Sequence, residues 1–489
     1  MFVGGLLLLS AASVFADTFT VTNTANSGAG SLRAAITNAN AHPNISAEHP
    51  DVIAFNIAGA GVHRIAPTTY LPAIIDPVVI DGYTQPGASP NTQAKADDAV
   101  LLIELNGDKF GSAGAGLIVE KSATVRGLVL NGWTSAAITV KRATTGPVVI
   151  EGNFIGTDAT GTSAKPNQNA IAVGDSSDVT IGAVTPAARN IISGNAAGGA
   201  AGGISITNSS ATIQGNFIGV DASGSAALPN DAGVAIDCFH SETLVGGAGP
   251  GAGNVISGNS DGILTYAGAN AKHPTEIVGN RIGVAAATLD AVPNNYGVHL
   301  LSPAGIVSDV RIGLLQQGTK SRRVANVIAH NKLAGVWVEK TGGVTITANQ
   351  IFGNHLGIDL GDDGAVTPND AGDGDTGANS LQNFPVITSA TTFNGTVTVL
   401  GNLDSKPNRS YRLEFFGNPT ADSSGYGEGR WFFGAGNVTT DAAGHASFNF
   451  SYPNHHPAAK WAAATATNPA GETSEFSLDR KIFNQPPPP

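Results

Sequence analysis

The sequence predicts an all-β fold, a solenoid of parallel β-strands with three strands in each coil, followed by a separate C-terminal β domain. Gly contributes 63 and Pro 26 of the 489 residues, while 42% are hydrophobic and only 13% are charged. That balance suits many short strands joined by tight corners. Short alternating apolar runs also recur along the chain. Residues 233–261 hold three of these runs, which cannot bury their inner face without copies stacked above and below.

The N-terminal residues resemble an export signal. Residues 2–16 form an apolar run that ends in Val14-Phe15-Ala16. This pattern predicts a signal peptide over residues 1–16, although its positively charged start is missing. A transmembrane anchor is the alternative, but the run is shorter than the ~20 residues that a span requires, and no later segment could span a bilayer. We therefore expect a secreted or cell-surface bacterial protein.

The composition also limits the partners. A formal net charge of −12 argues against binding to nucleic acid or an anionic membrane. It disfavours a polyanionic substrate too, unless a cation or a local basic patch intervenes. Cys238 is the single cysteine, so an internal disulfide is excluded.

Residues 17–50 are predicted to cap the solenoid. They combine a strand, a turn and a short amphipathic helix in which Leu32, Ala35, Ile36 and Ala39 share one face and Ser31 is the N-cap. A helix at this end would cover a strand edge that otherwise promotes aggregation.

Residues 51–383 are predicted to form the solenoid. First strands such as GVAID, GVHLL and GVWVE recur once per coil and should therefore pair in parallel, with alternate side chains forming inward apolar columns. Third strands share the form Asn-x-Ile. Their asparagines should stack at one corner and bond between coils as a ladder. These residues are Asn153, Asn190, Asn216, Asn254, Asn280, Asn326 and Asn349.

The composition changes at about residue 384. Runs such as GTVTVLGNL, RSYRLEFFG and HASFNFSYP follow one another at the spacing of an antiparallel sandwich. We predict an Ig-like β-sandwich over residues 384–483 and a Pro-rich tail over residues 484–489.

The segments SGAGSLRAAITNAN, LPAIIDPVVIDGYTQPG and NFIGTDATGT, with the repeated NVISGN unit, resemble bacterial right-handed parallel β-helix repeat proteins of the pectate-lyase-like superfamily. The resemblance covers nearly the whole mature chain. It implies a right-handed parallel β-helix. It implies no single activity, because the superfamily contains lyases, hydrolases, epimerases and proteins with no known activity. The histidine- and arginine-bearing signatures of pectate lyases are missing here.

The outward positions of the late first strands carry the residues from which chemistry is expected. Stacking places His299, Trp337 and Asp359 in adjacent layers, with Glu339 beside Trp337 on one strand. An aromatic plate flanked by carboxylates suits a sugar, whose apolar face covers the ring and whose hydroxyls donate to the acids. The catalytic candidates are His299, Glu339 and Asp359, and the substrate-binding candidates are Trp337, Tyr266 and Asp237. A solvated polar face is the alternative.

The segment 359–375 is rich in aspartate and glycine. Carboxylates this dense repel one another unless a cation gathers them, and oxygen-only ligands predict calcium. A flexible acidic linker is the alternative. The candidate metal ligands are Asp362, Asp363, Asp370, Asp373 and Asp375.

Three functions remain open from the sequence. The first is a secreted or surface β-helix that binds an extracellular polysaccharide. The second is a polysaccharide lyase, with His299 as the base, or a glycoside hydrolase with paired carboxylates. The third is a structural or adhesin-like solenoid without activity.

Overall fold

The structure is a computed structural model that describes residues 16–42, 44, 49–111, 114–195, 202–237, 242–266, 274–301, 307–318, 320–361 and 363–484. The predicted signal peptide therefore lies almost wholly outside the described residues. No helix among those described combines the length and apolar character needed to cross a bilayer.

The N-terminal part contains the main helix. Its elements are β1 (Thr18–Val21), α1 (Leu32–Asn40), β2 (Asp51–Phe55), β3 (His63–Ile65), β4 (Val78–Asp81), a 3-10 turn at Gly82–Thr84 and β5 (Ile103–Asn106). The hydroxyl of Ser31 accepts a hydrogen bond from the backbone N–H of Ala34 and caps the helix, as predicted. The predicted apolar face of α1 is buried and joins the core of the solenoid.

The middle of the chain consists of short strands in regular succession. They are β6 (Leu117–Val119), β7 (Ala123–Arg126), β8 (Leu128–Asn131), β9 (Ala136–Lys141), β10 (Val148–Glu151), β11 (Phe154–Ile155), β12 (Asn169–Gly174), β13 (Val179–Ile181), β14 (Ile191–Ile192), β15 (Ile204–Thr207), β16 (Ala211–Ile213), β17 (Phe217–Ile218), β18 (Ala232–Asp237), β19 (Thr243–Gly246), β20 (Val255–Ile256), β21 (Asp261–Tyr266), β22 (Thr275–Val278), β23 (Arg281–Ile282), β24 (Tyr296–Leu301), β25 (Val307–Ile312), β26 (Leu314–Gln317), β27 (Lys320–Arg323), β28 (Val327–Ala329), β29 (Ala334–Val338), β30 (Gly342–Ile346), β31 (Gln350–Phe352) and β32 (Leu356–Leu360). A 3-10 turn at Pro186–Ala188 interrupts them.

These strands form three long parallel sheets, so the predicted parallel β-helix is confirmed. The first-strand sheet has nine strands in the order β32-β29-β24-β21-β18-β15-β12-β9-β6. The second-strand sheet has eleven, in the order β1-β2-β4-β7-β10-β13-β16-β19-β22-β25-β30. The third-strand sheet has ten, in the order β3-β5-β8-β11-β14-β17-β20-β23-β28-β31. Only the hairpin of β26 and β27 departs from this arrangement among the described strands of the solenoid.

The core of the solenoid follows the predicted columns. Val234, Ile236, Val298, Leu300 and Val336 have no exposed surface. The predicted asparagine ladder is also confirmed. Each side-chain amide donates to the side-chain oxygen in the next coil, at 2.8–3.2 Å from Asn153 to Asn349. Buried amides are tolerated because each one has a partner.

A second ladder, not foreseen from the sequence, occupies the corner before the first strands. Its amides bond from coil to coil at 2.8–3.2 Å. It consists of Asn167, Asn195, Asn230, Asn259, Asn294, Asn331 and Asn354. Within each coil these asparagines follow Gly, Pro or His, in contexts that resemble ordinary turn signals.

The C-terminal domain begins after a 3-10 turn at Ala378–Leu381. It consists of β33 (Val386–Phe393), β34 (Thr396–Asp404), β35 (Ser410–Asn418), β36 (Trp431–Thr439), β37 (His445–Pro453), β38 (Trp461–Thr467) and β39 (Arg480–Asn484). The structure differs in detail from the predicted antiparallel sandwich. Its strands form one curled sheet in the order β36-β35-β38-β39-β33-β34-β37. The last strand joins two antiparallel groups and pairs in parallel with β33.

Buried glutamates of this domain close the end of the solenoid. The Oε1 atom of Glu428 accepts from both the backbone and the side-chain nitrogens of Asn354, each at 3.0 Å, as the next asparagine would. Glu475 accepts from the backbone N–H groups of Leu360 and Thr367 at 3.1 and 2.8 Å. The C-terminal domain thus satisfies donors that the last coil would otherwise leave exposed.

Candidate functional site

The late first strands align the predicted residues in one column. His299 on β24 pairs with Trp337 on β29, and Trp337 pairs with Asp359 on β32. The same register, extended toward β6, gives Leu264, Ala235, Ser205, Ala172, Thr139 and Ile118. The charged and aromatic residues of this column therefore concentrate in the last coils, as the sequence predicted.

His299 lies between two carboxylates. Its Nδ1 atom is 3.2 Å from Oδ1 of Asp261, and its Nε2 atom is 3.6 Å from Oε2 of Glu339. An ionised carboxylate can only accept, so Nδ1 carries the proton toward Asp261. Nε2 is enclosed by protein and has no hydrogen-bond partner among the described residues. The ring is thus oriented by Asp261 and closely approached by Glu339.

Trp337 is a fixed plate. The imidazole of His299 stacks on the indole at 4.1 Å and 16°, and the Tyr296 ring stacks on it at 4.6 Å and 26°. The rings of Tyr296 and His299 are only 5.3 Å apart, too close to lie on opposite faces of the indole. Both rings therefore cover one face, while the other face is directed toward β32. The indole N–H donates to the carbonyl of Gly361, which sets the orientation of the plate.

Tyr266 and Asp237 lie in a neighbouring column of the same sheet. They pair with each other in register, and Tyr266 pairs with Leu301. Tyr266 is 40% exposed, which makes it the most accessible aromatic ring of this face. Partial burial and then the nearby Asp261 carboxylate raise the pKa of its phenol. It adds an outward ring to the more enclosed cluster of Tyr296, His299 and Trp337.

The sequence reasoning missed Asp261 and Tyr296. They pair with each other at the start of β21 and β24, one residue before the glycine where those strands were expected to begin. Strict alternation would point both side chains inward with Val298 and Leu300, but the corner breaks that alternation. Burial, followed by the Asp261, Asp359 and Glu339 carboxylates, raises the pKa of the Tyr296 phenol. Reading the residue that precedes each first-strand glycine could have found both.

The face is acidic. Asp261, Glu339 and Asp359 all lie close enough to raise the pKa of the Tyr296 phenol. Lys340 offsets part of this charge, because its Nζ atom donates to Oε1 of Glu339 at 2.8 Å. Carboxylates here can accept hydrogen bonds from hydroxyl or ammonium groups, and they repel an anion.

The acidic loop brings together part of the predicted metal set. Carboxylate oxygens of Asp370, Asp373 and Asp375 all lie within 4.8 Å of one another. Asp363 does not belong to this group and accepts from the N–H of Ala365, and Asp362 lies outside the described residues. Burial and the neighbouring Asp370 and Asp373 raise the pKa of the Asp375 carboxyl, whose buried Oδ1 has no hydrogen bond within the described chain.

Comparisons with known proteins add little. No family model matches the chain, and no curated protein matches it. The A-module of the mannuronan C-5 epimerase AlgE4 of Azotobacter vinelandii is 12% identical, and the match covers 70% of this chain and 73% of that chain at a TM-score of 0.28. A tailspike protein, gp49 of the Acinetobacter baumannii bacteriophage Fri1, a capsular polysaccharide depolymerase, is 8% identical over 88% of this chain and 77% of that chain, at a TM-score of 0.19. Likenesses this slight carry no argument about what this chain does.

Proposed function

We propose that the protein binds an extracellular polysaccharide on the first-strand face of its late coils. The observation that carries this proposal is the cluster of Tyr296, His299 and Trp337 bordered by carboxylates, with Tyr266 exposed beside it. The exposed Tyr266 ring offers an apolar surface to a sugar, the partly exposed Tyr296 and Trp337 rings extend it, and carboxylates accept the sugar's hydroxyls. The acidic surroundings favour a neutral or amino-sugar polymer over a polyanion.

The binding test uses the full mature chain and a panel of neutral, amino and acidic oligosaccharides in calorimetric titrations. Removing the exposed ring in Tyr266→Ala should weaken binding of the best ligand about 2- to 10-fold, since a stacked ring contributes ~0.5–1.5 kcal/mol. Tyr70→Ala removes an exposed tyrosine from the N-terminal part of the chain, outside the proposed face, and is the matched control. Equal affinities for both variants and the parent protein would reject this face.

An enzyme is the second candidate. The observation that favours it is the Asp261–His299 pair, because a histidine oriented by a carboxylate is a common form of general base. The enclosed Nε2 atom argues for binding over proton transfer, since a substrate proton would have to reach it. The same panel is assayed for unsaturated products and for new reducing ends. Turnover that His299→Gln, Glu339→Gln and Asp359→Asn all leave unchanged would place any activity elsewhere.

We also propose a calcium ion among Asp370, Asp373 and Asp375. Carboxylate oxygens of these three residues lie within 4.8 Å of one another and repel, and a hard cation with oxygen ligands fits this donor set. The loop joins the last coil to the C-terminal domain, because Asp373 accepts from the N–H of Asn383 and the hydroxyl of Ser405. Calcium bound there would strengthen this junction.

We also propose that the protein is exported. The apolar run over residues 2–16 and the small residues that end it support cleavage before Asp17. Expression of the full chain in a bacterial host, followed by N-terminal sequencing of the exported protein, tests this. A mature protein that retains Met1 would contradict it.

A further inference from the structure

A cleft of about 540 Å³ lies on the second-strand sheet, away from the proposed polysaccharide face. Its floor is an outward column that runs across consecutive coils through Thr180, Thr212, Leu244 and Glu276. Three steps of ~4.8 Å give this floor a length of about 14 Å. It can therefore contact several consecutive units of an extended ligand.

The wall of the cleft comes from the hairpin of β26 and β27, an insertion between the second and third strands of its coil. The hairpin of β26 and β27 folds back so that Leu315, Gln316 and Gln317 line one side. Oε1 of the buried Glu276 accepts from the backbone N–H of Gln316 at 2.7 Å and from Arg311 at 3.3 Å. The wall is thus tied to the floor. Insertions in repeat proteins commonly build the binding face.

The lining is polar and carries no positive charge. Thr180, Ser210 and Thr212 line the cleft together with Gln214 and Gln317, and no Lys, Arg or His is among the described residues that line it. Asp178 and Glu242 add carboxylates at the margin. Such a surface offers donors and acceptors to hydroxyl groups, while it repels phosphate, sulfate and uronate groups.

We propose that this cleft is a second binding site, for an uncharged, hydroxyl-rich chain such as a neutral oligosaccharide. A peptide strand fits less well, because the sheet here has a partner strand on each side and offers no free edge. The site is independent of the first-strand face. It would let one molecule hold two glycan segments at once, which raises avidity without any new contact.

The test titrates the full mature chain with neutral hexasaccharides of glucose, mannose and galactose, with hexagalacturonate as the anionic comparator. The double variant Thr180→Val and Thr212→Val removes two hydroxyls with almost no change of shape and preserves strand propensity. It should weaken binding of a neutral ligand about tenfold or more. Thr124→Val, in the same outward column but beyond the cleft, is the matched control and should have no effect.

The melting temperature of each variant shows that the fold is retained. Binding that weakens only in the Thr180/Thr212 double variant supports the cleft. If no neutral hexasaccharide binds, if the double variant binds as tightly as the parent protein, or if only hexagalacturonate binds, the proposal is overturned. If only Tyr266→Ala loses affinity, the cleft proposal is overturned and the proposed function stands. If only the Thr180/Thr212 double variant loses affinity, the cleft is supported and the proposed binding on the first-strand face is rejected.

Discussion

Asn254 lies in the middle of the first asparagine ladder, and its removal should destabilise the solenoid strongly. Its Oδ1 atom accepts from the backbone N–H and the side-chain amide of Asn216, both at 3.0 Å. Its amide donates to the carbonyl of Ile213 at 2.8 Å and to Oδ1 of Asn280 at 2.9 Å. Asn254→Ala removes all four contacts from a site with no exposed surface.

The magnitude follows from which groups keep another partner. The side-chain amide of Asn216 still donates to the carbonyls of Ile181 and Gln214, whereas its backbone N–H has no other acceptor among the described residues. One orphaned buried N–H costs about 1–3 kcal/mol, and the other lost bonds contribute about 1 kcal/mol each. We expect a loss of about 4–6 kcal/mol in the free energy of unfolding.

The assay is denaturant unfolding followed by far-ultraviolet circular dichroism, together with hydrogen exchange of the segment that contains Asn216. Asn437→Ala, at an exposed position on β36, is the control and should change stability by less than about 0.5 kcal/mol. If Asn254→Ala shifts stability by no more than this control, and the Asn216 amide exchanges as slowly as before, the ladder does not stabilise the fold as argued.

Three further predictions concern the C-terminal junction. Burial raises the pKa of Glu475 to about 8, so its contribution to stability is fully present below about pH 4.5 and is lost as the pH rises through about 8. The melting temperature of the parent protein should therefore fall across this window. Glu475→Gln should flatten that fall, while Glu242→Gln, at an exposed position, should not. Glu428→Ala removes the acceptor of the backbone N–H groups of Gly353 and Asn354, while the Asn354 amide keeps the carbonyl of Ile328, and it should lower the unfolding free energy by about 2–4 kcal/mol, measured by denaturant titration; a change below about 0.5 kcal/mol would refute its capping role. Chelator should lower the melting temperature of the parent protein but not of Asp375→Asn, with Asp363→Asn behaving like the parent, and a parent protein indifferent to chelator would remove the calcium ion.

The sequence alone predicted what depends on repetition. Inward columns such as Val298 and Leu300, and the ladder from Asn153 to Asn349, follow from one residue type recurring at one position of the coil. The register of His299 with Trp337 and Asp359 followed for the same reason, since parallel strands of a solenoid stack in sequence order.

What the sequence did not predict depends on breaks in the repeat. Asp261 and Tyr296 lie at a corner where strand alternation fails, so their contacts with His299 are seen only in the structure. The cleft arises because the hairpin of β26 and β27 folds back onto the second-strand sheet. The sequence of the hairpin does not indicate which sheet it will cover. Glu428 takes the place of a missing asparagine from a position 74 residues away in the chain, which no local pattern reveals.

The most direct test of the central claim is hydroxyl-radical footprinting of the mature chain with and without the best-binding polysaccharide of the panel. Binding on the first-strand face predicts protection of Tyr266, Tyr296 and Trp337, with Trp431 and Tyr70 unchanged. Protection confined to Trp431 or Tyr70, or no protection of the three predicted rings under saturating ligand, would contradict the account.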